Sequence, residues 1–122
     1  MPGPAGINRD RLYALLRGMV DVYSPSGKEA ELTDFLADYA GQNGLPVTLQ
    51  PVDDGRCNLL VSTGHGEPAT LLLGHVDTVP AYDIEHFGFT AHGTWCRGLG
   101  TADMKGGCAA MLEAFVSVAE AG

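Results

Sequence analysis

The chain has 122 residues, 45% of them apolar, which is enough for one domain with its own core and too apolar for a disordered segment. Seven basic against fifteen acidic side chains leave a net charge of −8, which repels phosphate backbones and anionic headgroups and argues against nucleic acid or a membrane surface as partner. No apolar run reaches the ~20 residues needed to cross a bilayer, and "MPGPAGINRD" lacks a basic stretch followed by an apolar one, so neither span nor leader is expected.

After a Pro/Gly-rich tail over residues 1–7, Leu12, Leu15, Leu16, Met19 and Val20 recur at helical spacing, which predicts an amphipathic helix with Asn8 as its N-cap. Pro25 interrupts the pattern. Ser26 with Glu29 three residues on then reads as a capping box for a second helix, whose stripe is Leu32, Phe35, Leu36, Tyr39 and Ala40 and which ends at Gly41 or Gly44. From Pro46 the period shortens. "VTLQPV", "CNLLVST" and "ATLLLGHVD" read as three strands, the first two joined by the turn "DDGR" and the third apolar enough to be a central strand buried on both faces. "FGFTAHGTWCRG" reads as a hairpin turning at His92 and Gly93, with Trp95 packed on a sheet. A last helix opens just after Asp103 and carries Met104, Cys108, Met111, Leu112, Phe115, Val116 and Ala119. Two helices, three to five strands and a helix predict an α/β layer fold. Residues 8–122 read as the opening of a larger domain.

The chemistry sits in two stretches. In an extended strand residues i and i+2 share a face, so His75 and Asp77 project together at the carboxyl end of the third strand, where α/β sheets bind ligands. A carboxylate beside an imidazole is how proteins hold a metal-ligating histidine in its tautomer; a plain hydrogen-bonded polar pair is the equally open alternative. In "GLGTADMKGG", Asp103 stands at a loop-to-helix junction, where an N-cap is the bland reading. The flanking glycines, which admit close backbone approach, and Lys105, a cation misplaced for the dipole of the helix it opens, argue for more than a cap. The other candidates read as structural: His65 as a turn residue, His86 and His92 as solvent-facing, Cys96 and Cys108 as small buried hydrophobes. Cys57, Cys96 and Cys108 are too few and too widely spaced for a disulfide framework or a CxxC zinc site, which fits free thiols in a reducing cytoplasm.

"LLLGHVDTVP" followed by "GLGTADMKGG", with "SPSGKE" at 24–29, resembles the zinc aminoacylase and carboxypeptidase family that includes acetylornithine deacetylase, succinyl-diaminopimelate desuccinylase, carboxypeptidase G and peptidase T. The resemblance implies the N-terminal part of a three-layer zinc-exopeptidase-like catalytic domain. It makes His75 a zinc ligand, Asp77 the acid behind it, and Asp103 a carboxylate bridging two zinc ions, with a cis bond between Asp103 and Met104. The implied cofactor is zinc, one or two ions, with cobalt as a substitute; the implied reaction is hydrolysis of amide bonds in N-acyl amino acids or small peptides, the metal polarising the scissile carbonyl and acidifying water.

The resemblance also implies residues that are missing. The family's general base belongs to an adjacent Glu-Glu pair, and no such pair occurs in the 122 residues. Glu113 and Glu120 lie on the wrong element and read as a solvated helix face. Later ligands and an inserted lid or dimerisation domain are missing as well. A catalytically inactive fragment or interaction module, and a mis-bounded reading frame, therefore stay open beside the hydrolase reading, as does self-association.

Overall fold

Helix α1, Arg9–Asp21, forms where its apolar spacing predicts, and the Asn8 side chain accepts the Arg11 N–H at 3.0 Å as its N-cap. Leu15, Met19 and Val20 are its buried face. The computed structural model describes residues 6–63, 66–68 and 70–122. The expected tail lies mostly, and His65 entirely, outside these residues.

Helix α2, Ala30–Gln42, buries Leu32, Leu36 and Ala40. It stops at Gly44, whose positive φ of 71° lets its N–H reach Gly41 O at 3.0 Å while Leu45 N–H reaches Ala40 O at 3.0 Å. This paired closure satisfies two end carbonyls and turns Leu45 back onto Ala40. The start of α2 departs from expectation. Glu29, not Ser26, is the N-cap; it makes no side-chain cap bond, and its carboxylate accepts from Gly27 N–H at 2.7 Å and from Arg56 at 3.0 Å. The capping box fails because Ser26 is held by a distant part of the chain.

Strands β1, Val47–Asp53, and β2, Arg56–Val61, form the expected antiparallel hairpin around Gly55, and Val47, Leu59 and Val61 pack inward on the helices. A second hairpin, β3 Thr90–His92 with β4 Trp95–Arg97, turns at Gly93 as predicted. Trp95 does not pack on a sheet: it is 76% exposed, because the β3–β4 ribbon, unlike β1–β2, is laid against no helix among the described residues. His86 and His92 are exposed, Cys108 is buried and Cys96 half-buried, and all three cysteines are free thiols.

The third expected strand is overturned. Residues 70–77 have no strand partner among the described residues; the first pairing is the parallel bridge between Thr78 and Pro25. Leu71 and Leu73 are 85% and 81% exposed. The leucines suit a doubly covered strand, but only one side of the segment meets another element. A Cβ at Gly74 would come within 2.7 Å of Met111 Cε and 2.8 Å of Cys108 Sγ, so glycine there permits close seating on the last helix.

That helix, α3, Gly106–Ala121, follows a kinked turn, Thr101–Lys105, whose backbone is non-helical at Asp103 and Met104 and cis between them. Asp103 therefore precedes the helix without capping it. Leu15 and Met19 of α1, Leu32 and Leu36 of α2, and Cys108 and Ala109 of α3 form the main core. The described residues form a mixture of three helices and two small antiparallel sheets.

Glu113 is the largest correction in the core. It is fully buried, where a solvated face was expected: Arg11 binds both its oxygens, at 2.7 and 2.8 Å, Asn8 N–H donates at 2.8 Å and Ser117 Oγ at 3.0 Å. The Arg11 guanidinium, outweighing desolvation, holds the carboxyl down at about 2. Glu120 takes the outer side of Arg11 at 2.5 Å and is half exposed.

Candidate active site

His75, Asp77 and Asp103 come together. His75 Nδ1 lies 3.1 Å from Asp77 Oδ1 and 3.2 Å from the Asp77 carbonyl, while Nε2 faces Asp103 Oδ1 at 3.0 Å. The groups at both ring nitrogens are acceptors only, so the ring donates in each contact; when it is neutral, Nδ1, which faces two acceptors, holds its one proton better than Nε2, which faces the single, 88% exposed Asp103 carboxylate. Partial desolvation lowers the imidazole's proton affinity, but the hydrogen bond to Asp103, that to the Asp77 carbonyl and the charges of both carboxylates outweigh it and raise the His75 pKa. The Asp77 carboxyl is held below its ordinary range, first by the hydroxyl of Ser26 and then, against desolvation, by the charge of His75.

Three elements place these groups. The bridge between Thr78 and Pro25, with Thr78 N–H on Ser24 O at 2.9 Å, fixes the backbone beside Asp77. Cys108 Sγ–H, on α3, donates to the His75 carbonyl at 3.2 Å. Gly100, at φ 80°, lies so close to Thr78 that a Cβ would meet its Cγ2 at 2.5 Å, which brings the loop carrying Asp103 against the segment carrying His75.

Lys105 completes the frame and explains its own odd position. It is 1% exposed, and its Nζ donates to Met19 O at 2.9 Å and Val22 O at 2.8 Å. A cation is misplaced at the start of α3 but well placed at the carboxyl end of α1, whose last carbonyls it satisfies. Burial pushes its pKa down to about 8. Sequence reasoning gave neither Ser26 nor Lys105 a place in this frame. Lys105 carried a signal, its misfit with its own helix; Ser26 carried one too, its place in "SPSGKE", but its spacing to Glu29 pointed to a capping box instead.

The donor set suits a zinc-type ion in part. His75 Nε2 and an Asp103 oxygen are an imidazole nitrogen and a carboxylate, both usual ligands, with the other ring nitrogen held by a carboxylate. They amount to two protein ligands where a catalytic zinc ordinarily has three. Asp83, Glu85 and His86 are also close enough together to share an ion, but they form an exposed surface turn held by Asp83, which accepts Glu85 N–H at 2.9 Å and bonds the His86 ring at 2.7 Å.

The sequence pattern of Peptidase family M20/M25/M40 matches residues 71–122, the part that contains His75, Asp77 and Asp103, and the chain belongs to this family. It is 46% identical over 93 residues to an acetylornithine deacetylase of Klebsiella pneumoniae, covering 71% of this chain and 24% of that protein. Against an acetylornithine deacetylase of Salmonella paratyphi B it is 44% identical over 95 residues, covering 73% of this chain and 25% of the relative. The chain thus spans about a quarter of the length of these curated relatives. No helix among the described residues is long and apolar enough to cross a membrane.

Proposed function

We propose that this chain supplies the N-terminal part of a zinc-dependent hydrolase that cleaves amide bonds in N-acyl amino acids or small peptides, in the manner of a deacetylase. The observation that carries this reading is His75 standing between two carboxylates, Asp77 on one ring nitrogen and Asp103 on the other. His75 and Asp103 would hold the metal, and cobalt would substitute for zinc. Bound there, the ion would supply Lewis-acid polarisation of the scissile carbonyl and acidify water. The Asp77 carboxylate and carbonyl accept from Nδ1, so Nε2, which faces Asp103 in the metal-free chain, is the nitrogen that would ligate. Asp103, whose side chain is mostly exposed, would offer its second oxygen to a second ion.

The remaining ligands and the glutamate base belong to sequence outside these 122 residues, as do the lid domain and the layers that would complete a three-layer catalytic domain. The fourfold greater length of the relatives supports this. Three free thiols support a cytoplasmic setting, and the charge of −8 supports a small-molecule substrate over nucleic acid or a lipid surface.

A zinc titration followed by calorimetry tests the reading. Binding to the wild-type chain should be lost in His75→Ala and in Asp103→Ala; identical affinities in all three would sink it. Amine release from a panel of N-acetyl amino acids, with zinc or cobalt added, is the companion assay. The exposed Leu71 and Leu73 favour one second reading, an inactive module that pairs with another chain or with itself. It predicts association without hydrolysis, and association that survives His75→Ala.

A further inference from the structure

Ser26 lies 51 residues from Asp77 in sequence, yet its hydroxyl donates to Asp77 Oδ2. Its backbone is fixed for that contact. Thr78 N–H donates to Ser24 O at 2.9 Å, Ser26 N–H returns to Thr78 O at 3.1 Å, and Ser24 Oγ–H donates to Val76 O at 2.8 Å. Three hydrogen bonds therefore clip the loop between α1 and α2 onto the residues either side of Asp77. The terminal torsion of an aspartate is broad and two-fold, so a carboxylate held at one oxygen only can rotate out of line. Asp77 is held at both: Oδ2 by Ser26, and Oδ1 by His75 Nδ1 at 3.1 Å.

We propose that Ser26 is a positioning residue for His75: by holding Asp77 Oδ2 it sets the plane of that carboxylate, so that Oδ1 takes the His75 Nδ1 proton and Nε2 is turned toward Asp103. The order is Ser26, Asp77, His75, Asp103, each bonded to the next. Its consequence for metal affinity rests on the reading of His75 and Asp103 as ligands; the orientation of the ring does not.

The test therefore has two readouts. Nitrogen NMR of the metal-free chain in alkaline solution reports which ring nitrogen of neutral His75 carries the proton, and a titration with zinc alone reports affinity. Wild type and Ser26→Thr, which keeps the hydroxyl, should show the Nδ1–H tautomer. Ser26→Ala should shift toward the Nε2–H form that free imidazole favours and bind zinc about 10-fold more weakly, as loss of outer partners of a metal-bound histidine does elsewhere. Wild-type nitrogen shifts in Ser26→Ala would overturn the proposal. A double-mutant cycle with Asp77→Ala guards against an indirect effect: once the carboxylate is gone, removing the Ser26 hydroxyl should change the tautomer no further, and a full additional shift would overturn it. If no variant binds zinc, wild type included, while the tautomer still follows the hydroxyl, the metal reading fails and the role of Ser26 stands.

Discussion

Two ionic clusters in this molecule have similar membership and opposite settings. Arg11, Glu113 and Glu120 join α1 to α3 inside the core, and Glu113 is covered on every side and bonded at both oxygens. Asp77, His75 and Asp103 sit at an open surface beside exposed leucines, and Asp103 is 88% exposed at its side chain. A covered ion pair secures the fold only while both members remain, since either alone is a buried charge. An open one contributes little to stability, where exposed pairs are typically worth about 0–1 kcal/mol. The second cluster is therefore free to exchange a proton partner for a cation.

The sharpest way to break this contrast is Arg11→Met. It strands Glu113 and should cost about 3–5 kcal/mol in urea unfolding, enough to unfold a marginal domain, whereas Asp103→Asn should move the urea midpoint hardly at all. A cost below 1 kcal/mol for Arg11→Met would mean that the two clusters do not differ as described.

Acid should distinguish them next. The folded Glu113 pKa, about 2, lies below its ordinary value of 4.5. The folded state therefore binds fewer protons than the unfolded one in this window. The stabilisation is complete above the upper value and is lost as pH falls toward the lower, a change on the order of 3 kcal/mol. Thermal melts between those limits should show it, and Glu113→Gln should flatten the slope.

A third expected effect lies where the clusters share a support. Gly74→Ala presses a methyl group against Met111 and Cys108 and should cost about 1–3 kcal/mol by overpacking. It should also displace His75, visible as changed ring-proton NMR shifts. An unchanged melt would mean that the segment is not seated on α3.

The smallest effect is expected from the residues that look most like core. Leu71→Lys with Leu73→Lys should leave urea stability within about 0.5 kcal/mol, as surface changes do. Sedimentation should show less self-association. A loss of several kcal/mol would show that those leucines are covered in solution.

The legibility of the sequence follows the same division. Helix α1 could be read whole because its stripe, its Asn8 cap and its partners' apolar faces are all local patterns. The hairpins were readable from Gly55 and Gly93. That His75, Asp77 and Asp103 lie together was readable because two short motifs name them. What could not be read depends on residues far away in the chain. Leucines 71–73 have the composition of a central strand, but burial needs neighbours on both edges. Ser26 has the spacing of a capping box, yet a carboxylate 51 residues on takes its hydroxyl. Glu113 has the look of a polar helix face until Arg11, 102 residues earlier, covers it.

That last separation bears on how the chain is made. The amide of Asn8, the residue that opens the first helix, finds its acceptor on Glu113, 105 positions later. During synthesis α1 can wind as soon as it clears the ribosome and meet Leu32 and Leu36 of α2, yet the face it turns to α3 has no partner until Cys108, Ala109 and Glu113 have been translated. At about 5–20 residues per second that is a wait of several seconds with part of an apolar stripe uncovered. Chaperone dependence in vivo should therefore track residues 9–21 more closely than any other part of the chain.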